Sequence, residues 1–204
     1  MLPEELSTDL TSLVEKQERL AIVVELHLPD AGEARSHEIY PALLRNHAKL
    51  AYSSTGDWLE GCGPIPPAVA DVPEMEAQIR LQLEAAEKLR GIRKRHGALT
   101  FGSVEARPVV EDGEVKNLLV SRHNLAEDII ESFMVAANVA MAQFLREKGS
   151  LSIRRVVRTP KRWDGIQNIA AKFGVKLPPS PDPRALSEFL NQRKAADPVH
   201  FQDL

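Results

Sequence analysis

A carboxylate and an amide stand inside the most apolar stretch of this chain. Between His123 and Leu145, Ala126, Ile130, Phe133, Ala137, Ala140 and Phe144 recur at the three- and four-residue steps of one helix face. Ile129, Met134, Val135 and Met141 widen that face nearly all round, which predicts a helix buried at the centre of a domain. Glu131 and Asn138 share one side of it, with Glu127 one turn earlier. A buried carboxylate or amide must find a partner or cost free energy. That conflict makes 123–145 the first place to look for function.

A second pattern pairs aromatic rings with cations. Tyr52 and Phe101 each end a short strand-like segment and each follows basic groups, Lys49 in one case and Arg95 with His96 in the other. Single-stranded nucleic acid needs this combination, because bases stack on rings while phosphates meet charges. The same rings also suit a core. Two basic runs stand open to two readings. Arg93, Lys94 and Arg95 close a predicted helix, and Arg154, Arg155 and Arg158 lie in a run that continues to Lys161 and Arg162. Either run is a solvated face, the first also complementing a helix dipole, or a set of phosphate contacts.

Other chemistries lack their residues. No Gly-rich phosphate loop, HExxH or Gly-x-Ser-x-Gly motif is present. The carboxylates are scattered rather than clustered to hold Mg²⁺, and the six histidines show no metal-ligand spacing, so no metal ligand is assigned. His47 and His96 read as surface or half-buried residues. Cys62 is the only cysteine, which rules out an internal disulfide and reads as a loop thiol.

The elements that must position these groups form an α+β pattern of antiparallel hairpins packed on helices. At 204 residues the chain can bury a sizeable core, and its net charge of −3 leaves any nucleic-acid binding to a local patch. Residues 19–28 and 33–44 read as a hairpin around a Pro-Asp-Ala-Gly turn. Asp57 to Leu59 reads as a short helix. Residues 61–73, with two glycines and four prolines, read as a linker. Helices follow at 74–95, 163–173 and 184–193. Asp112-Gly113 predicts a tight turn between strands 107–110 and 115–120, and 98–101 reads as a short strand. The sequence shows no signal-peptide pattern and no apolar run of membrane-spanning length, which implies no membrane partner and a cytoplasmic location. Both termini read as cuts through a longer fold.

Four ordered segments resemble the RNB catalytic domain of the ribonuclease II and ribonuclease R exoribonucleases. Residues 1–13 are similar to the family's MLPxxLSxxLCSL segment. Residues 39–52 resemble its strand ending in K/RLxY, and Gly97-Ala-Leu99 with Phe101 resembles GALxF. Residues 126–138, AEDIIESFMVAAN, are similar to its AxxLIEEFMxxAN helix. The resemblance runs from Met1 to about residue 160 and implies that 1–204 is an internal part of an RNB domain. Its implied activity is hydrolytic, Mg²⁺-dependent 3′-to-5′ degradation of single-stranded RNA to nucleoside 5′-monophosphates. Carried over, Tyr52 and Phe101 match aromatics that stack on RNA bases, and Glu131 matches a glutamate at the terminal nucleotide. Asn138 reads as structural.

The departures matter as much. The family's Mg²⁺-binding Asp cluster and a base-clamping Tyr precede the LPxxLS segment. Its catalytic Arg lies in a later SPIRRYxDL-like segment, and none of these is in this sequence. The expectation is therefore a chain that supplies base stacking and 3′-end contacts and is inactive alone. Its expected partners are single-stranded RNA and the remainder of an RNB domain, in the same or another chain. A non-catalytic RNA-binding module and a structural remnant without RNA affinity are the alternatives.

Overall fold

The structure is a computed structural model, which describes residues 3–29, 36–99, 105–111, 113–121, 123–153, 162–197 and 201. They fall into two compact units, Met1–Leu89 with His123–Ile153, and Arg90–Arg122 with Arg154–Leu204.

In the first unit a π-helical segment, Leu6–Leu10, leads to strand β1, Glu18–His27. Strand β2, Ser36–Arg45, pairs with it antiparallel from Glu18↔Arg45 to His27↔Ser36. Asn46 ties the hairpin base down by donating to the Leu13 carbonyl. Arg19 pairs with Asp9 and so fixes the π-helical segment to β1. Side chains alternate across a strand, so Leu20, Ile22, Val24, Ile39, Pro41 and Leu43 share one face. Leu20 is 80% exposed and Ile22 and Leu43 are 61% exposed, which leaves that end of the apolar face uncovered.

The core of this unit is helical. Helix α1 spans Tyr52–Leu59, α2 Pro67–Ala70, α3 Met75–Arg95 and α4 Leu125–Glu147. Trp58, Val69, Ile79, Ala86 and Ile129 are buried together, with Leu59, Leu83 and Phe133 packed around them. Full burial of such apolar side chains contributes about 1.5–3 kcal/mol each. The 61–73 stretch is therefore not simply a linker. Pro67 starts α2, as proline suits a first helical position, and Val69 is only 1% exposed.

Helix α4 forms where expected, but it is not buried nearly all round. Its buried residues are Ala126, Ile129, Ser132 and Ala140, whereas Ile130, Met134 and Val139 are about half exposed. Glu131 and Asn138 face outward, so neither is a buried polar group. Periodicity identified the helix but not what covers it. By length and composition α4 would suffice to cross a membrane, contrary to the expectation that no such run exists. Its buried stripe packs instead on the helical core.

The start of α4 is held from two sides. Asn124 and Glu127 form a capping box: the Glu127 N–H donates to Asn124 Oδ1 and the Asn124 N–H to Glu127 Oε2, both at 3.0 Å. Such caps satisfy the orphan donors of a helix start. From α1, Glu60 Oε1 accepts the Leu125 N–H at 3.1 Å.

In the second unit β3, Glu105–Glu111, pairs antiparallel with β4, Glu114–Ser121, with a bulge between Val109 and Val110. Gly113 has φ +79°, the left-handed backbone that the Asp-Gly turn signal anticipated. Helices α5, Trp163–Lys172, and α6, Pro183–Ala196, enclose Trp163, Ala170, Leu177, Leu186 and Phe189. The Trp163 and Gln167 side chains both donate to the Pro178 carbonyl, at 2.9 and 2.8 Å, fixing the Pro-rich loop. Ala98 and Leu99 are irregular rather than a strand. Leu99 packs on the second core.

Candidate nucleic-acid interface

Tyr52 begins a helix; it does not end a strand. Ala51 is extended, at φ −95° and ψ 138°, and Tyr52 is the first residue of α1. The sequence hid this, since Tyr-Ser-Ser-Thr-Gly is poor in helix formers. Burial of Thr55, Gly56 and Trp58 overrides that preference. Tyr52 itself is 51% exposed, so its ring is available to a ligand.

Tyr52 lines a cavity of about 170 Å³. Ile79 of α3 and Ile129 and Ile130 of α4 give it apolar walls, and Thr55 and Gln82 add polar groups. Glu131 follows Ile130 directly. The fold thus brings Tyr52 and the Glu131 region of α4, separate in sequence, to one locality of the first unit.

Glu131 has company that sequence spacing did not reveal. His123 lies just before the Asn124 cap and folds against the first turns of α4. Its Nδ1 is 3.2 Å from Glu127 Oε2, and its Nε2 is 3.1 Å from Asp128 Oδ1 and 3.7 Å from Glu131 Oε2. His123, Asp128 and Glu131 each place a donor atom within 4.8 Å of the others. His123 thus has carboxylate neighbours that the sequence spacing did not show. The signal was a histidine just before an Asn-x-x-Glu cap, with acids at 127, 128 and 131 on the following turns.

This set does not fit Mg²⁺. It offers an imidazole nitrogen, whereas that ion takes oxygen ligands and retained water in near-octahedral geometry. Among the described residues no cluster of carboxylates alone converges in the manner two-metal hydrolysis requires. The cluster instead orients Glu131 beside an imidazole.

The remaining predicted residues divide clearly. Arg93, Lys94 and Arg95 form the last turn of α3, where their charges complement the helix dipole. Lys94 and Arg95 are exposed and Arg93 is half-buried. The Arg95 carbonyl accepts from Arg184 at 2.9 Å, which joins this turn to α6 within the second unit. Phe101, Arg154, Arg155 and Arg158 lie outside the described residues. Elsewhere in the first unit, Tyr40 donates to Glu25 Oε2 at 3.1 Å, and this bond with the neighbouring carboxylate charge raises the Tyr40 hydroxyl above the usual tyrosine pKa.

Comparison with known proteins carries the sequence resemblance further. Ribonuclease R of Thermotoga maritima is 29% identical over 189 residues, covering 88% of this chain and 26% of that protein. Exoribonuclease 2 of Cronobacter sakazakii is 35% identical over 159 residues, covering 76% of this chain and 24% of its own length. The chain spans about a quarter of the length of the curated relatives it matches. The apo form of Mycoplasma genitalium RNase R superimposes with a TM-score of 0.84 at 22% identity, covering 98% of this chain and 31% of that one. That protein has also been solved in complex with ribose-methylated single-stranded RNA, with the same TM-score and identity. The likeness supports the α+β class expected from sequence, with mixed helices and antiparallel strands in an RNB-type fold. The RNB domain family matches residues 1–204, so the chain belongs to the RNB family of ribonuclease II- and ribonuclease R-type exoribonucleases.

Proposed function

We propose that this chain forms an RNA-binding wall of a 3′-to-5′ exoribonuclease domain that releases nucleoside 5′-monophosphates from single-stranded RNA. The carrying observation is the half-exposed Tyr52, which lines an apolar cavity together with Ile79, Ile129 and Ile130, the last next to Glu131 in the chain. An aromatic face and adjoining apolar surface suit a stacked base. Glu131, beside His123, accepts hydrogen bonds from ribose hydroxyls at the 3′ end. Phe101 supplies a second stacking ring, and Arg93, Lys94, Arg95, Arg154, Arg155 and Arg158 supply phosphate contacts.

In this reading the chain holds and orients RNA, and the Mg²⁺ ligands and the cation at the transferring phosphate come from another part of an RNB domain. The exposed face of Leu20, Ile22 and Leu43 supports such a partner, because a two-stranded ribbon is marginal until a further layer covers its apolar side. The roughly fourfold greater length of the relatives supports it too.

Fluorescence anisotropy with a labelled single-stranded RNA tests the reading. Binding should weaken as salt rises and should fall in the Tyr52→Ala, Phe101→Ala double variant. Unchanged binding in that variant, or none in the parent chain, would count against it. Mg²⁺-dependent release of mononucleotides by the 204-residue chain would overturn the assignment of the hydrolytic groups elsewhere.

A further inference from the structure

His123 stands among carboxylates in an arrangement that a single N–H cannot satisfy. Its Nδ1 lies 3.2 Å from Glu127 Oε2, and its Nε2 lies 3.1 Å from Asp128 Oδ1 and 3.7 Å from Glu131 Oε2. A neutral imidazole donates from one nitrogen and carries a lone pair on the other. Whichever nitrogen holds the hydrogen, the other turns its lone pair toward an anionic oxygen. Glu127 Oε2 is itself fixed by the Asn124 N–H at 3.0 Å, within the α4 cap. It is thus placed to accept Nδ1–H, which leaves the Nε2 lone pair facing Asp128 and Glu131. A lone pair and two carboxylates turned toward one point call for a cation there.

The backbone builds this grouping. Asp128 and Glu131 are three residues apart and share one face of α4. Asn124, extended at φ −113° and ψ 170°, brings His123 back over that face. The donor atoms of His123, Asp128 and Glu131 all lie within 4.8 Å of one another. Tetrahedral ligands of Zn²⁺, bound at about 2.0–2.2 Å, stand roughly 3.4 Å apart. The separations of 3.1 and 3.7 Å bracket that spacing. One imidazole nitrogen with two carboxylate oxygens suits zinc and its borderline neighbours, whereas Mg²⁺ and Ca²⁺ take oxygen alone. A metal-bound histidine ordinarily gives its other N–H to a carboxylate or carbonyl, and Glu127 occupies that place. The His123 and Glu131 side chains are 54% and 46% exposed, so an ion can reach them from solvent.

We infer that His123, Asp128 and Glu131 bind one divalent ion of the zinc class, with Glu127 as the outer carboxylate that orients the imidazole, and that the bound ion withdraws Glu131 from RNA. The ion site stands on the geometry alone. The effect on RNA rests on the proposed RNA-binding reading and adds a means of regulating it. A carboxylate coordinated to zinc has committed a lone pair and lost most of its local negative charge, so it no longer accepts a ribose hydroxyl as a free carboxylate does. Zinc is then an antagonist of the 3′-end contact.

Calorimetric titration of the full chain with zinc chloride, above pH about 7.5 where an ordinary histidine is neutral, tests the ion site. The parent chain should take up zinc, and His123→Ala and Glu131→Gln should each abolish that uptake. Glu127→Gln keeps the capping box and should weaken uptake by about tenfold to a hundredfold. Cys62→Ser should leave it unchanged. Thermal melting gives a second measurement: zinc should raise the melting temperature of the parent and not that of a cooperatively melting His123→Ala. No zinc uptake by the parent, or uptake at parent strength in His123→Ala, overturns the inference. RNA anisotropy separates its two halves. Saturating zinc should weaken RNA binding by the parent and leave that of His123→Ala unchanged. Zinc uptake through His123 with RNA binding unmoved overturns the antagonism. A parent chain that binds no RNA, with or without zinc, overturns the RNA-binding reading and the antagonism with it, while the zinc site stands.

Discussion

Gly56 of α1 and Asn124 at the start of α4 touch so closely that a side chain at position 56 has nowhere to go. A Cβ built there would lie 2.5 Å from Asn124 Cγ and 2.7 Å from its Oδ1. The same Asn124 caps α4, so one small residue lets two helices meet at a capped terminus.

Gly56→Ala should destabilise the chain by about 1–3 kcal/mol, because overpacking at a close contact outweighs the gain of roughly 1 kcal/mol that alanine normally brings to a helix. Asn124→Ala alone should cost about 1 kcal/mol through the lost cap. With Asn124 already alanine, the loss from Gly56→Ala should shrink without vanishing, because the Cβ that alanine keeps at 124 would still lie 2.9 Å away. A double-mutant cycle by urea denaturation reads the coupling; additive losses would show that the two residues do not meet as described.

Val69→Ala should cost about 2 kcal/mol, as expected for two buried methyl groups and the small void they leave. Were 61–73 an exposed linker, the change would be silent. Thermal or denaturant unfolding distinguishes these outcomes.

Tyr52→Phe should bind single-stranded RNA as the parent chain does, since the ring is retained. Tyr52→Ala should weaken binding by roughly fivefold to a hundredfold, the range for one base–aromatic stack. Equal losses in both variants would assign the effect to the hydroxyl instead.

Alkaline titration should resolve Tyr40. Its neutral hydroxyl donates to Glu25, and the adjacent carboxylate charge opposes its ionisation, so its pKa is raised. The folded chain therefore retains this proton at a pH where the unfolded chain has lost it. The stabilisation is full below the ordinary tyrosine value and disappears as pH rises through the raised one. Tyrosinate absorbance should show a late step that Tyr40→Phe abolishes and Glu25→Gln moves downward.

Leu20→Ser with Ile22→Ser should change stability by less than about 0.5 kcal/mol each, because both side chains are already exposed. The pair should also reduce binding of a hydrophobic dye. A large drop in melting temperature would mean that the apolar face is already covered.

The amino-acid sequence made some elements legible because the local signals agreed with the packing. Asp-Gly at 112–113 marked the second hairpin, and the helix expected at 184–193 forms within α6, where Asp182 Oδ1 caps the Arg184 N–H at 2.8 Å. The first hairpin was readable from its run of β-branched and apolar residues. Other features depended on distant contacts. The start of α1 has weak helical propensity and exists because Thr55, Gly56 and Trp58 are buried by other elements. Residue 69 lies in a Pro/Gly-rich stretch, yet it completes a core built from 58, 79, 86 and 129. Glu131 was singled out for a burial it does not have. Its relevant neighbour is His123, brought back over the helix by the extended backbone of Asn124. The family resemblance pointed to Tyr52 and Glu131 by motif, whereas the cavity that Tyr52 lines with Ile79, Ile129 and Ile130 came from the fold.

Helix α1 is engaged at both ends. Its first turn forms one side of the Tyr52 cavity, and its last turn leads into Glu60, which holds the Leu125 N–H of α4. At eight residues it is a rod of roughly 12 Å, too short to bend appreciably. It therefore acts as a strut. A molecule wedged between Tyr52 and Ile130 loads the rod at one end and the α4 cap at the other. Occupancy of the cavity should be audible at a distance as slower hydrogen exchange of the Leu125 amide.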